Sequence, residues 1–568
     1  QATQAPHMMQ GVIAKHLGLA EGDVRVITKD VGGSFGIKVH VYPDEIAVAA
    51  MAKILGRPVR FVADRFESFV SDIHARDHRA KGRIAVNNDG TIIGFDIDDL
   101  TGIGPYSVYP RTSAIEGNQV VNRCGGPYDF QHYRCRTTVV LQNKAPTCQY
   151  RAVGHPIATA ITEGLVDLAA DAIGMDPITI RRRNLIADDA YPCTSPAGMK
   201  FEGLSHHKAL DMLIAMVQPD RLRAEQAALR KKGVYRGLGF ASFIELTNPS
   251  PFMYGIGGAR ISAQDGCTVR MDPDGSVVAL SGVTEQGQGT EAILAQIVAH
   301  GVGVPVERVK VITGDTQVTP YGGGTWACRG AGIGGEAALQ AAVALREQLA
   351  SVAATILQAP AGSLDVVMGE VVDTATGTVR MPLAELGRLV YFRGDTLPKD
   401  MPREFVQTRH FITKDYPFAF TNGIQASWLE VDTDTGIVTL LDHWVVEDCG
   451  RIINPKLVDE QVRGGVVQGI GGALYEHCLY DEDGQLRTTT MADYLVPMAA
   501  EMPDIHVGHV ETPTGESLLG AKGAGEAGTA GAPAAIMNAI NDALRPLGAR
   551  VLAQPFTPER ILKALGRF

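Results

Sequence analysis

A single carboxylate, Glu526, lies in a stretch of small residues that reads GAKGAGEAGTAG from Gly520 to Gly531. Lys522 is the only other charged residue in that stretch. Glycines allow a backbone to approach a bulky group closely, and a carboxylate beside a reacting group can act as a general base. The stretch therefore indicates a proton acceptor held against a ligand that is not protein.

Four other loops combine small residues with amide, hydroxyl or charged side chains. They are Thr3-Gln4, Gly32–Gly36, Glu285–Glu291 and Ala327–Gly332. The N–H groups at a helix N-terminus favour anions, and adjacent glycines let a ligand reach the backbone. Together with the first stretch, these loops predict a large polyanionic cofactor that resembles a dinucleotide and lies between two halves of the protein.

Each of these loops, taken alone, also fits an ordinary structural turn. A dinucleotide site of the Rossmann type would need G-x-G-x-x-G between a strand and a helix, with an acidic residue about 20 positions later. The sequence has no such arrangement. A nicotinamide dehydrogenase is therefore disfavoured.

Eight cysteines are scattered along the chain, and no two of them form a C-x-x-C pair. Structural zinc sites and iron–sulfur clusters are usually built from closely spaced cysteines, so neither is predicted within this chain. Scattered thiols are typical of a reducing compartment. We therefore expect a cytoplasmic location, with the periplasm as the alternative.

The chain has 568 residues, of which 45% are hydrophobic, and a net charge of −11. This length predicts more than one domain. The negative charge argues against binding to nucleic acid, which needs a basic face. The longest basic run, Arg181–Arg183, is expected at the solvated end of a helix. No apolar run approaches the roughly 20 residues that a membrane span requires.

A helix, a glycine turn and a strand occur twice in the sequence. Gln4 and His16 of the first copy correspond to Gln288 and His300 of the second. After a short gap, VRVITKD in the first copy matches VKVITGD in the second. Because the matches come in the same order, they indicate that one half of the chain is a duplicate of the other.

The predicted fold class is α+β, with two elongated, pseudo-repeated lobes that combine mixed sheets with helices and hold the cofactor between them. The lobes are expected at 1–230 and 231–568, with their boundary in the polar stretch 218–235. The predicted elements are helices at 4–16, 43–55, 156–173, 177–184, 288–300 and 336–357, strands at 24–30 and 309–315, and hairpins at 82–99 and 266–283.

Seven motifs follow one another along the chain. They are TQAPH, DVGGSFGIK, YRAVGHP, MDPITIRRRNLI, EQGQGTE, GDTQVTPYGGGTWACRGAG and LGAKGAGEAGTAG. With these motifs the chain resembles the molybdenum-binding large subunit of the xanthine oxidase family of molybdenum hydroxylases. That family includes aldehyde oxidoreductases, N-heterocycle dehydrogenases and aerobic carbon monoxide dehydrogenases. The family's N-terminal segment, which precedes the TQ motif, is expected on a separate chain or in an upstream portion.

The resemblance implies that the dithiolene of molybdopterin holds the molybdenum and that no protein side chain ligates the metal. Glu526 matches the family's catalytic base. Arg151 matches an active-site arginine that orients the substrate or stabilises developing negative charge. Gln4 is implied as a hydrogen-bond donor to an oxygen ligand of the metal.

The resemblance also implies which residues contact the cofactor. They come from the loops beside the metal, the pterin, the phosphates and the pyrophosphate. The implied set is Gln4, Gly33, Phe35, Gly36, Arg151, Gly287, Gln288, Gly289, Thr290, Ala327, Cys328, Arg329, Gly330, Lys522, Gly523, Ala524, Gly525 and Glu526.

The implied reaction adds an oxygen atom from water to an electrophilic carbon, and Glu526 takes a proton as the general base. Two electrons then leave the molybdenum, and nothing in this chain is predicted to accept them. A small [2Fe–2S] subunit and a medium FAD subunit are therefore implied as partners. The cofactor is expected to be the cytosine dinucleotide form of molybdopterin, which is frequent in bacterial members.

Two positions depart from particular branches of the family. Purine-binding members carry Glu where this chain has Val39, so xanthine is disfavoured. Carbon monoxide dehydrogenases carry a copper-binding Cys where this chain has Ala152, and Cys148 lies on the other side of Arg151. An aldehyde or an aromatic N-heterocycle remains as the expected substrate. The alternatives are an activity like that of carbon monoxide dehydrogenase and a non-catalytic cofactor-binding or assembly protein, and the retained Glu526 disfavours the latter.

Overall fold

The computed structural model describes residues 1–251 and 261–567. The helices in these ranges are α1 Pro6–Leu17, α2 Pro43–Leu55, α3 Arg65–Ser71, α4 Ile115–Arg123, α5 His155–Ile173, α6 Pro177–Asn184, α7 His206–Val217, α8 Pro219–Arg230, α9 Thr290–Val302, α10 Glu336–Ile356, α11 Leu383–Phe392, α12 Pro455–Leu474, α13 Ala527–Leu544 and α14 Pro558–Ala564.

The strands alternate with these helices along the chain. They are β1 His78–Val86, β2 Ile92–Gly102, β3 His132–Val140, β4 Cys193–Thr194, β5 Lys200–Phe201, β6 Tyr235–Thr247, β7 Asp265–Met271, β8 Val277–Ser281, β9 Val309–Ile312, β10 Leu364–Val367, β11 Glu370–Asp373, β12 Val379–Pro382, β13 Phe405–Phe411, β14 Ala419–Val431, β15 Val438–Asp448 and β16 Ile505–His509.

The strands form small sheets in which antiparallel and parallel neighbours are combined. The four-stranded sheets have the orders β16-β15-β14-β6 and β13-β7-β8-β9, and the three-stranded sheets are β1-β2-β3 and β10-β11-β12. β15 pairs with β16 in parallel and β8 with β9 in parallel, whereas β6 and β14 run antiparallel. The predicted α+β class with mixed sheets is confirmed.

Most of the predicted elements form where local signals are strong. α2 begins at Pro43. The residue that follows the last residue of α2, Gly56, adopts a left-handed φ of 61°, which ends the helix. α6 begins after Asp176, whose carboxylate accepts hydrogen bonds from two backbone N–H groups in the first turn. Both predicted hairpins also form, as β1–β2 and β7–β8. Proline at the first helical position, glycine after the last and an acidic N-cap are signals that can be read without tertiary contacts.

The predicted strand at 24–30 is wrong. In its place, Ile27 forms an isolated bridge with Asp315, which ends the second copy of the repeat. Thr28 N–H donates to the Gly314 carbonyl oxygen at 2.6 Å, and Thr316 N–H donates to the Val26 carbonyl oxygen at 3.1 Å. The matching segment of the second copy does form a strand, β9, because it pairs with β8. The segment at 24–30 of the first copy instead forms its backbone hydrogen bonds with residues at the end of the second copy.

The predicted solvated position of the basic run at 181–183 is wrong for Arg181. Arg181 is fully buried, and its guanidinium pairs with the carboxylates of Glu163 at 2.8 Å and Asp167 at 2.7 Å. Arg182 and Arg183 are exposed as expected. A buried guanidinium needs carboxylate partners, and here α5 supplies both of them. Sequence pattern alone places all three arginines on one helix but does not show which one faces α5.

Helix α13 lies across β6 and carries the Glu526 stretch at its start. Gly237 and Gly239 allow this close contact because they have no side chain. A Cβ atom at Gly237 would lie 1.8 Å from the Ala539 carbonyl oxygen, and one at Gly239 would lie 2.1 Å from the Ala539 nitrogen. Nearly every residue of α13 is buried, and the helix also packs against α5 and α12. The first residue of α13 is therefore positioned by contacts along its whole length.

The division into lobes at residue 230 stays a prediction. The polar stretch that was expected to hold the boundary contains helix α8, which packs against β6. Within residues 1–251 and 261–567, no helix has both the length and the apolar character needed to cross a membrane.

Candidate active site

A cavity of about 330 Å³ lies where the loops from both halves of the chain meet. Its volume is in the range of small-molecule binding sites. The predicted residues that line it are Gln4, Gly33, Phe35, Gly36, Arg151, Gly287, Gln288, Ala327, Cys328, Gly525 and Glu526. These residues are far apart in sequence, and the fold brings them around one space.

Glu526 immediately precedes α13, and it lines the cavity. Its Oε1 accepts a hydrogen bond from the backbone N–H of Ala152 at 2.8 Å, and its Oε2 lies 3.4 Å from the sulfur of Cys328. Ala152 and Val153 have φ values of 71° and 49°. Left-handed backbone in non-glycine residues costs energy and is concentrated at functional sites. This turn holds one carboxylate oxygen of Glu526 in place.

Arg151 lies at the wall of the cavity and is 6% exposed. Its guanidinium donates hydrogen bonds to the backbone carbonyl oxygens of Gly525 and Gln461 and to the side chain of Gln468. It also lies 5.7 Å from the centre of the Phe35 ring. Burial lowers the pKa of Arg151. Among the described residues no carboxylate forms an ion pair with it, so its positive charge is available to a ligand.

The side chain of Gln4 joins two of the glycine-containing loops. Its Oε1 accepts a hydrogen bond from Gly36 N–H at 3.0 Å, and its Nε2 donates to the Thr325 carbonyl oxygen at 2.9 Å. An amide NH₂ group has two hydrogens, and in the described ranges one of them has an acceptor. Gln4 therefore aligns the loops and retains an N–H for a ligand.

The loop before α9 cradles a carboxylate from its own chain. Glu285 accepts hydrogen bonds of 2.7 to 3.2 Å from the backbone N–H groups of Gln286, Gly287, Gly289 and Glu291. Anions are favoured at a helix N-terminus, and Glu285 takes that position here. Of the predicted residues in this loop, Gly287 and Gln288 line the cavity, whereas Gly289 and Thr290 do not.

The loop before α10 contributes Ala327 and Cys328 to the cavity, with φ values of 47° and 53°. Arg329 points away from it: the side chain is fully buried, and its guanidinium lies 2.6 Å from the carboxylate of Asp265. Gly330 also lies outside the lining and begins a π-helical turn that leads into α10. π-Helical turns are frequent at functional sites.

Of the predicted residues at 522–525, Gly525 lines the cavity, and Lys522, Gly523 and Ala524 do not. Lys522 is buried, and its ammonium lies 3.9 Å from the carboxylate of Asp448. Within the described ranges, this ammonium has no hydrogen-bond partner. A Cβ atom at Gly523 would lie 2.5 Å from the carbonyl oxygen of Cys328, so the two loops touch through their backbones there.

Glu245 lies in the same cavity, although no motif in the sequence singled it out. It is on β6 and is 1% exposed. One side-chain oxygen each from Glu245 and Glu526 and the sulfur of Cys328 lie within 4.8 Å of one another. Burial, and then the charge of Glu526, raise the pKa of Glu245 well above its ordinary value. A lone acidic residue in the apolar sequence GLGFASFIEL was a usable signal, since buried carboxyls are rare.

The cavity has further walls outside the predicted set of cofactor contacts. They include Val39, Arg111, Gln119, Gln149, Tyr150, His155, Leu246, Trp326 and Gln461. His155 accepts a hydrogen bond from Leu246 N–H on Nε2 at 3.2 Å, so its Nδ1 carries the proton and donates to the Ala152 carbonyl oxygen at 2.7 Å. Burial lowers the pKa of His155 to about 3. This neutral histidine therefore supports the turn that holds Glu526.

Comparison with known proteins places the chain among molybdopterin proteins. Models of the molybdopterin cofactor-binding domain match residues 1–185 and 213–503. The chain is 36% identical to the nicotine 6-hydroxylase large subunit of Paenarthrobacter nicotinovorans, over 99% of this chain and 69% of that protein. It is 30% identical to the carbon monoxide dehydrogenase large chain of Hydrogenophaga pseudoflava, over 99% of this chain and 70% of that protein.

A solved structure is similar over the whole chain. The crystal structure of quinoline 2-oxidoreductase from Pseudomonas putida 86 matches with a TM-score of 0.93 and 35% identity. The match covers 100% of this chain and 72% of that one. The arrangement of helices and sheets around the cavity is therefore shared with this enzyme.

Proposed function

Because this chain belongs to the xanthine oxidase family of molybdenum hydroxylases, as a catalytic large subunit, we propose that it hydroxylates an aromatic N-heterocycle in the cavity around Glu526. The main observation in support is that this cavity combines apolar and aromatic walls with the carboxylate of Glu526, whose orientation is set by a hydrogen bond from the Ala152 N–H. The walls select a flat ring, and the carboxylate takes the proton.

The cavity fits molybdopterin on three observations. Glycine-containing loops from both halves face one space, and at Gly287 a Cβ atom would meet nothing within 4 Å. Buried polar atoms without partners in the described ranges belong to two residues that line this space, Gln149 and Glu245. The donor set also suits an anionic pterin with phosphates, because Arg151 carries a positive charge and Gln4 retains an N–H donor.

We assign the cofactor contacts to the predicted residues that line the cavity. Supporting positions in the same loops are assigned to the predicted residues outside the lining, namely Gly289, Thr290, Arg329, Gly330, Lys522, Gly523 and Ala524. When bound, the cofactor supplies a metal centre that delivers an oxygen atom derived from water and accepts two electrons. No protein side chain is assigned as a metal ligand. The cytosine dinucleotide form of the cofactor is part of this proposal and rests on the family resemblance.

Glu526 is assigned as the general base. Its Oε1 is held by Ala152 N–H, so the side chain cannot rotate freely, and Oε2 remains to accept a proton. The carboxylate comes from the start of α13, which β6, α5 and α12 hold on several sides. A base that is already positioned avoids the entropic cost of orientation during each turnover.

Arg151 is assigned to stabilise negative charge on the reacting substrate. Its guanidinium is fixed by neutral acceptors on Gly525, Gln461 and Gln468, and within the described ranges it forms no ion pair with a carboxylate. A fixed cation in a water-poor site stabilises developing anionic charge more strongly than one in solvent. Phe35, whose ring centre lies 5.7 Å from this guanidinium, also lines the cavity.

The proposed substrate class follows from the remaining walls. Val39, Leu246 and Trp326 present apolar surface, which suits a flat aromatic ring. Ala152 supplies no thiol at the position where a copper ligand would be expected, which disfavours carbon monoxide. The nicotine 6-hydroxylase and quinoline 2-oxidoreductase relatives carry names of N-heterocyclic substrates, and this supports the same class here.

Partners are proposed on the same basis. The relatives are named as large subunit and large chain, which indicates multi-subunit enzymes. We assign electron transfer to a small [2Fe–2S] subunit and a medium FAD subunit, and we expect a further chain or segment that corresponds to the family's N-terminal portion. A cytoplasmic location completes the proposal.

The test is a substrate screen of the purified complex, with an artificial dye as electron acceptor. Quinoline, a pyridine, xanthine, an aromatic aldehyde and carbon monoxide are compared, after metal analysis has established stoichiometric molybdenum. We expect dye reduction with the N-heterocycles, and ¹⁸O from labelled water in the product. Dye reduction with the aldehyde or carbon monoxide alone would overturn the substrate class, and absence of molybdenum from the intact complex would overturn the cofactor assignment.

A further inference from the structure

The active-site cavity contains a second carboxyl group that the proposed mechanism does not use. Glu245 projects from β6, and its nearest side-chain oxygen is within 4.8 Å of a Glu526 oxygen. Two carboxyl groups this close do not both ionise readily, because like charges in a poorly solvated site repel each other. One member of the pair therefore keeps a proton.

The surroundings decide which member that is. Glu526 accepts a hydrogen bond from the Ala152 N–H at 2.8 Å and lies near the guanidinium of Arg151. Glu245 is 1% exposed, and its Oε2 has no hydrogen-bond partner in the described ranges. Burial of a carboxylate with an unpartnered oxygen costs far more free energy than burial of a neutral carboxylic acid at the same position. Glu245 is thus the protonated member.

Other charged or titratable groups face Glu245, and they do not reverse the conclusion that Glu245 keeps the proton. Arg123 acts on it from α4, but the Arg123 guanidinium donates to the Asn122 carbonyl oxygen and lies over the ring of Phe418. His155, from α5, is neutral. Within the described ranges, Glu245 forms no ion pair with either of them.

Two further groups come from the facing loops. The thiol of Cys328 keeps its proton, since burial and the adjacent carboxyl groups raise its pKa. Arg151 acts on Glu245 as well, but its guanidinium hydrogen bonds go to Gly525, Gln461 and Gln468. Burial and the charge of Glu526 together outweigh the two arginines, and the pKa of Glu245 is raised.

We propose that Glu245 is a hydrogen-bond donor of the substrate cavity: its carboxylic acid donates to Glu526 in the free enzyme and to the ring nitrogen of an N-heterocycle when substrate is bound. No bond to carbon is made or broken by Glu245, and its proton stays on it. The second half of this inference rests on the proposed N-heterocycle substrate. The first half is a property of the chain alone.

The geometry explains why this donor would matter for specificity. In an N-heterocycle the carbon next to the ring nitrogen is electrophilic, so the attacked carbon and the nitrogen are neighbours. A base and a hydrogen-bond donor within 4.8 Å of each other can face those two adjacent atoms at once. Trp326 cannot serve as this donor, because its Nε1–H already donates to the Gly323 carbonyl oxygen at 3.0 Å. A donor to the nitrogen also draws electrons from the ring and makes the adjacent carbon a better target.

The protonated state can be tested without substrate or turnover. Infrared difference spectra of the purified complex at pH 7 are compared for wild type, Glu245→Gln and Glu526→Gln. We expect the C=O stretch of a protonated carboxylic acid, shifted in D₂O, in wild type and in Glu526→Gln, and its loss in Glu245→Gln. An unchanged spectrum in Glu245→Gln would overturn the inference.

The substrate contact is tested with two replacements of the same residue. Glutamine keeps an N–H donor of similar size but cannot ionise, whereas leucine removes the donor. We expect Glu245→Leu to raise KM for quinoline about tenfold, the loss of roughly one hydrogen bond. Glu245→Gln is expected to keep KM near that of wild type. The matched ligand is naphthalene, which lacks the ring nitrogen and is measured as a competitive inhibitor; its affinity is expected to be unchanged in both variants.

The outcomes separate the two proposals. Turnover of quinoline with an unchanged KM in Glu245→Leu would overturn the role of Glu245 and leave the substrate class standing. The expected infrared band without any turnover of N-heterocycles would overturn the substrate class and leave the protonation of Glu245 standing. If Glu245→Leu does not fold, the infrared comparison of Glu245→Gln with wild type still decides whether Glu245 is protonated.

Discussion

The carboxylate of Glu526 accepts a 2.8 Å hydrogen bond from the backbone N–H of Ala152, although the two residues are 374 positions apart in the chain. Ala152 directly follows Arg151, so one turn supplies both the donor that orients the Glu526 carboxylate and the cation that lies beside it. Two side chains stabilise this turn by hydrogen bonds. Arg76 donates to the carbonyl oxygens of Arg151 and Val153, and His155 donates to the carbonyl oxygen of Ala152. The Glu526 carboxylate is thus positioned by the backbone geometry of the chain itself.

Replacement of Glu526 by Gln is expected to lower kcat by about 100- to 10,000-fold, the usual contribution of general acid–base catalysis. The amide oxygen of Gln can still accept the Ala152 N–H, so the fold and the molybdenum content should be those of wild type. Dye reduction under substrate saturation measures kcat, and metal analysis is the control. A kcat within threefold of wild type would exclude Glu526 as the base.

Arg181→Met is expected to destabilise the protein by about 3–5 kcal/mol, because removal of one member leaves buried charges without a partner. Glu163 and Asp167 would then face each other across the vacated site. The exposed neighbour Arg182, which pairs with Asp211, is the matched control, and Arg182→Met should cost less than about 1 kcal/mol. Urea unfolding followed by circular dichroism measures both, and equal losses would contradict the assignment of Arg181 to the core.

The free energy of unfolding should fall between about pH 6.5 and pH 9, because His78 loses its proton in this range. Burial lowers the pKa of His78, but hydrogen bonds to Asp99 and Glu116 outweigh it and raise the pKa to about 9. Because the folded-state pKa is above the unfolded value, the stabilisation is full below about pH 6.5 and is lost as pH rises through 9.

Thermal unfolding midpoints of wild type and His78→Asn at pH 6 and pH 9.5 test this effect. The fall in midpoint should be smaller in the variant, and the difference corresponds to about 3 kcal/mol at most. The exposed His132 provides the control, since His132→Asn should keep the fall seen in wild type. Equal pH dependence in wild type and His78→Asn would contradict the prediction.

Gly239→Ala is expected to destabilise the protein by about 1–3 kcal/mol or more, as overpacking does. The new methyl group would lie 2.1 Å from the Ala539 nitrogen, so α13 would have to move away from β6. Glu526 precedes α13, and we expect kcat to fall together with the thermal midpoint. Gly22→Ala is the matched control, because nothing lies within 4 Å of its Cβ position and its φ is ordinary. A variant Gly239→Ala with unchanged midpoint and kcat would contradict the positioning role of this contact.

The sequence by itself determined the elements whose signals are local. Pro43 and Gly56 delimit α2, and Asp176 with Pro177 begins α6, since a missing N–H, a left-handed φ and a capping carboxylate act within a few residues. The motifs likewise predicted the loops that surround the cavity, because a close approach to a large ligand requires small residues at set spacings.

Only the tertiary structure decided which side chains of those loops face the cavity. Arg329 is in a cofactor motif yet pairs with Asp265 away from the cavity, whereas Glu245, outside every motif, lies beside Glu526. The segment at 24–30 has the pattern of a strand but lacks a neighbouring strand to pair with. Burial, charge pairing and strand pairing each depend on residues hundreds of positions away, and their free energies exist only once the chain has folded.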